Sequence, residues 1–74
     1  MERFIIQPST TQPNAWVCTD KLNGLVCRFE AHKFNDTQKF TFLEDVKQPD
    51  ALKIARILRE MADWLGENHY EKIF

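Results

Sequence analysis

The chain has 74 residues, of which 43% are hydrophobic, 12% aromatic and 28% charged, with two glycines and three prolines. That suits one small folded domain and leaves too little apolar surface for two separate cores. Ten Lys and Arg stand against eleven Asp and Glu, a net charge of -1, so no bulk field draws the chain to nucleic acid or an anionic membrane.

The first predicted element is a short strand at about residues 3–7, Arg-Phe-Ile-Ile-Gln, stopped by Pro8. Met1-Glu2-Arg3 leads into it with no secretory h-region, and no apolar run approaches the roughly 18 residues of a membrane span. A soluble, cytoplasmic protein with no membrane partner is expected. Residues 8–14 are polar or proline and make an irregular connection.

Strands at about 15–22 and 25–33 flank Asn23-Gly24, a pair suited to a two-residue type I′ hairpin turn because both residues tolerate positive φ. That register sets Leu22 opposite Leu25, Asp20 opposite Cys27, Cys18 opposite Phe29 and Trp16 opposite Ala31. Trp16, Cys18, Leu22, Leu25, Cys27, Phe29 and Ala31 then share an apolar face, while Val17, Thr19, Lys21, Val26, Arg28, Glu30 and His32 take the other. One packed and one wet side are expected of such a sheet. Asp20 alone breaks the apolar face, and is read as reaching water near the turn or accepting hydrogen bonds from nearby backbone. The two cysteines lie diagonally, beyond comfortable disulfide reach at roughly 7–8 Å, and are expected to be reduced.

Asn35-Asp36-Thr37-Gln38 is turn chemistry, and a fourth strand at about 39–43 points Phe40 and Phe42 inward. Beyond Glu44-Asp45 the period changes to that of a helix, expected over about 49–65, with Pro49 in its first turn and Gly66 just past its end. Ala51, Ile54, Leu58, Met61, Ala62 and Leu65 fill its apolar arc, flanked by Ile57, Trp64 and Ala55. Arg56 and Arg59 are spaced for i,i+4 pairs with Glu60 and Asp63. A tail at 67–74 carries two aromatics and an isoleucine.

The fold class is therefore α+β, a four-stranded antiparallel meander packed by one C-terminal amphipathic helix, in a single domain over residues 1–74. One helix covers about 10 Å, whereas four strands at about 4.8 Å spacing present nearly twice that, so part of the apolar face is expected to need another cover. Leu52, on the polar arc of the helix, and Tyr70, Ile73 and Phe74 in the tail are the candidate partner surface.

No catalytic or cofactor motif is present: with Gly24 and Gly66 as the only glycines there is no phosphate loop, and the cysteines and histidines lack zinc-ligand spacing. Cys18 and Cys27 are expected inward and His32 outward, which separates thiol from base. No enzyme activity, metal or cofactor is expected. The leading functional reading is a protein-interaction domain that binds another chain, with a homodimer the natural case. The alternative is a single-stranded nucleic-acid binder using Lys21, Arg28, His32, Lys33 and Lys39 on and near the outward face. The ββββα order is similar to that of the whirly and PUR-type single-strand-binding folds, a likeness of topology with no shared motif.

Overall fold

In a computed structural model that describes residues 2–73, the strands β1 (Phe4–Pro8), β2 (Ala15–Asp20), β3 (Leu25–Glu30) and β4 (Lys39–Phe42) form one antiparallel meander in the order β1-β2-β3-β4. A short helix α1 (Phe34–Thr37) interrupts the link from β3 to β4. The long helix α2 (Ala51–Asn68) and a short turn of helix, α3 (Tyr70–Ile73), follow β4. Phe4, Cys18, Leu25, Cys27 and Phe29 from the sheet meet Phe34, Ile57, Met61, Leu65 and Ile73 from the helices in one core.

The expected two-residue hairpin turn is replaced by a four-residue loop, Lys21 to Gly24. Cα partners are Asp20 with Leu25, Cys18 with Cys27 and Trp16 with Phe29, two residues away from the expected pairing. Gly24 alone takes positive φ there, at 71°, whereas a type I′ turn requires it at both central residues. Leu22, expected opposite Leu25, stands 73% exposed at the loop tip. Because the shift is by two residues, the inward and outward sets of each strand are unchanged.

The cause of the longer loop is Asp20. Its side chain has no exposed surface and its carboxylate accepts hydrogen bonds from the Leu22 and Asn23 backbone amides at 2.9 and 3.2 Å and from Asn23 Nδ2 at 2.9 Å. Arg3 completes the set, its Nε and Nη2 donating to the two carboxylate oxygens at 3.1 and 2.9 Å. Arg3 Nη2 also donates to Glu60 Oε1 at 2.9 Å, tying the start of β1 to α2. Burial works to raise the Asp20 pKa, but the donors from Arg3, Asn23 and Leu22 outweigh it and hold the carboxyl below the ordinary value.

Beyond β3, His32 adopts a left-handed conformation (φ 65°) and its amide donates to the Lys72 carbonyl at 2.9 Å. This ends the strand at Glu30, short of residue 33, and turns the buried Phe34 ring edge-on to Phe29, 5.0 Å between centroids. At the start of α2, Asp50 is the N-cap, accepting from the Lys53 amide at 2.9 Å, so Pro49 lies outside the helix. At its end the helix continues through Gly66 to Asn68, with the His69 amide closing on Leu65. The fully buried stripe is Ile57, Met61 and Leu65, rotated toward Ile57 from the arc read on the wheel, and Ala51 and Ala55 are exposed. Trp64 meets Phe4 at 5.5 Å.

Four tests follow from this architecture. Gly66 lies inside a helix with open space where a Cβ would stand, so Gly66→Ala should raise urea stability by about 0.5–1 kcal/mol. A Cβ on Gly24 would overlap a Val46 methyl at a positive φ, so Gly24→Ala should lower stability by about 1 kcal/mol or more. Asp20→Ala strands the loop amides and should cost about 2–4 kcal/mol. The unfolded chain takes up the Asp20 proton more readily than the folded one, so the Asp20 contribution is present above about pH 4 and lost as pH falls below it. Denaturation midpoints measured from pH 7 to pH 2 should fall less steeply for Asp20→Asn than for the natural sequence.

Candidate interaction surface

The fourth strand occupies one edge of the sheet, and its register with β3 fixes which way each group faces. Leu25 pairs with Phe42, Val26 with Thr41, Cys27 with Phe40 and Arg28 with Lys39. Phe40 and Phe42 therefore share the inward face with Leu25 and Cys27, while Lys39 and Thr41 face outward. The Leu43 amide donates to the Gly24 carbonyl at 2.9 Å, and ladder alternation assigns the main-chain groups of residues 39, 41 and 43 to β3. Those of Phe40 and Phe42 point to the open edge.

The helix does not reach this edge. Phe40 is 42% exposed in spite of its inward orientation and Leu43 is 47% exposed, whereas Phe42 packs partly against the core. The two rings stack edge to face with centroids 6.2 Å apart. This is the shortfall in cover that the width of one helix imposes, and it falls at β4 because α2 is drawn toward β1 by the contacts of Arg3 with Glu60 and of Phe4 with Trp64.

The sequence-derived partner surface is dispersed. Leu52 and Tyr70 are exposed, at 84% and 61%, but lie at opposite ends of α2. Ile73 is 3% exposed and belongs to the core, which corrects its placement at a surface. Phe74 lies outside the described residues. The tail is docked by its backbone through Lys72 and His32, and by the Lys72 ammonium 5.1 Å from the Trp16 ring centroid. Leu52 instead shares a shallow groove with the exposed Leu22, beside Arg3, Lys53 and Arg56. Glu60, expected to pair with Arg56, pairs with Arg3.

Of the basic residues proposed for nucleic acid, only Arg28 and Lys39 come together, as exposed Cα partners on the outward face, and Glu30 and Asp36 line the same hollow. Lys21 sits in the hairpin loop, while His32 and Lys33 follow the far end of β3. The aromatic side chains of the described strands, Phe4, Trp16, Phe29, Phe40 and Phe42, all lie on the inward face.

Cys18 and Cys27 are free and fully buried, and they face each other directly where a diagonal relation was expected. The Ala31 amide donates to the Asn14 carbonyl in the same ladder, which makes Cys18 and Cys27 a hydrogen-bonded pair by alternation. In such pairs the Cβ atoms stand about 5.5 Å apart, wider than the roughly 3.5–4.5 Å of a disulfide. Burial pushes the Cys18 thiol up to about 12 and the Cys27 thiol to about 11. Among the described residues no group of three or more His, Cys, Asp or Glu is placed to hold a metal ion, and no helix is long and apolar enough to cross a membrane.

No protein-family model, curated protein or solved structure matches the chain significantly.

The buried thiols give a direct check on the sheet. At pH 8 both should resist iodoacetamide in the folded protein and react on addition of denaturant, as followed by intact mass. Rapid labelling of either thiol without denaturant would contradict the buried Cys18–Cys27 pair.

Proposed function

We propose that this protein is a small, non-enzymatic, cytoplasmic interaction domain that acts by joining its β4 edge and the adjoining uncovered face to another protein chain. The observation that carries this reading is Phe40, an inward-facing ring that is 42% exposed beside an open strand edge. Such an edge supplies main-chain amides and carbonyls for strand addition, the Phe42 carbonyl already accepting from Thr41 Oγ1 at 3.2 Å, and the neighbouring ring supplies an apolar anchor that a partner would dehydrate. Free cysteines with raised pKa values suit a reducing compartment and make poor nucleophiles.

A second reading, single-stranded nucleic acid on the outward face, rests on the adjacent Arg28 and Lys39. Two cations there would hold phosphates, but the rings needed to stack bases lie on the opposite side.

Capture on the immobilised protein from the source cell's lysate separates the two. Protein companions, untagged copies of the chain included, should survive nuclease treatment, be lost with Phe40→Glu and be kept with Arg28→Glu. Companions released by nuclease and lost with Arg28→Glu would overturn the protein-binding reading.

A further inference from the structure

We infer that the chain seated on the β4 edge is a second copy of this protein, paired antiparallel about a two-fold axis through Thr41. The inference rests on the interaction reading above and names its partner. Three features of β4 converge on this arrangement.

The first is hydrogen-bond parity. Phe40 and Phe42 are the residues whose main-chain groups face the open edge, so they must supply the hydrogen-bonded pairs of any added antiparallel strand. An axis through Thr41 sets Phe40 of each copy opposite Phe42 of the other, so the edge-facing main-chain groups of both residues are used in each copy. Thr41 then meets its own copy as a close, non-hydrogen-bonded pair.

The second is the apolar complement. Pairing brings four phenylalanine rings together on the inward side of the joined sheet, over the strip that α2 leaves bare. Phe40, 42% exposed in one chain, would be covered by the partner's rings, extending the edge-to-face contact already made by Phe40 and Phe42.

The third is charge. Lys39 precedes the two rings, and Glu44-Asp45 follows them after Leu43. Antiparallel pairing sets Lys39 of each copy opposite Leu43 of the other, where the strand gives way to the Glu44-Asp45 turn, its aliphatic stem against the leucine and its ammonium toward the acids of that turn. Within one chain Lys39 has Arg28 as its cross-strand neighbour, an unfavourable like-charge pair. The partner's two carboxylates offset that repulsion. Axes through Phe40 and Phe42 satisfy parity as well, but the first sets Phe42 against Gln38 and separates Lys39 from the acidic turn, and the second sets Phe40 against Glu44, beyond the end of the strand, so the axis through Thr41 is favoured.

Sedimentation equilibrium on the full chain tests the pairing, and a cysteine placed at the axis tests the register. The natural protein should show a reversible species of twice the 8.8 kDa chain mass. Lys39→Glu, a change at an exposed residue that also relieves Arg28, should leave the fold intact and weaken the dimer by about tenfold or more. Adding Glu44→Lys and Asp45→Lys should restore it. Thr41→Cys should form an intermolecular disulfide under mild oxidation, because a non-hydrogen-bonded pair holds its Cα atoms about 4.5 Å apart. Lys39→Cys should not. A natural protein that stays monomeric at every concentration reached, a dimer indifferent to Lys39→Glu, or a Lys39→Cys cross-link as fast as that at Thr41 would overturn the inference. A monomer that still captures other proteins through Phe40 would overturn self-pairing alone and leave the interaction reading standing.

Discussion

The buried carboxylate of Asp20 is the contact on which the rest of this small fold depends. A charge with no exposed surface is tolerated because Arg3, Asn23 and the backbone of the hairpin loop all donate to it. Those donors do structural work in return. They set the length of the loop, and the loop sets the pairing of β2 with β3. Arg3 carries the same network to Glu60 and draws α2 toward the β1 side. Where the helix sits then decides which strip of the sheet is left bare.

Much of this was legible in the residues because strand faces depend on a period of two and helix faces on a period near 3.6. The alternation through Trp16, Cys18, Cys27 and Phe29 placed each of them inward, and a register displaced by two residues kept them there. The displacement itself was hidden by Asn23-Gly24, whose local preference for a tight turn loses to a carboxylate that collects several donors at once. The readable signal was an Asp just before the loop, a residue type that often bonds amides two and three positions on. Gly66 misled in the same manner, since a glycine near a helix end suits a stop, yet tertiary packing of Leu65 and Ile73 carries the helix past it.

The candidate surface was legible in kind but not in place. Comparing the width of one helix with four strands is arithmetic that needs only element types, and it foretold bare sheet. Locating the bare strip needed the lateral position of α2, which rests on Arg3 with Glu60 and Phe4 with Trp64, contacts across more than half the chain that no local pattern encodes. The burial of Ile73 is hidden from the sequence for a related reason. Its docking is secured by a backbone bond from His32, whose left-handed conformation brings distant segments together.

The meander order of the sheet also bears on how the chain finds its structure. Every strand pairs with its neighbour in sequence, so each hairpin can form after closing a short loop, with little chain entropy lost beforehand. The expensive closures are those that bring α2 and α3 back onto β1 and β3. A sheet assembled early from local contacts would wait, apolar face uncovered, for a helix that follows it in the chain. During that interval Phe40 and Phe42 are no more exposed than the rest of the face, and the order of assembly protects none of it from premature contacts with other chains.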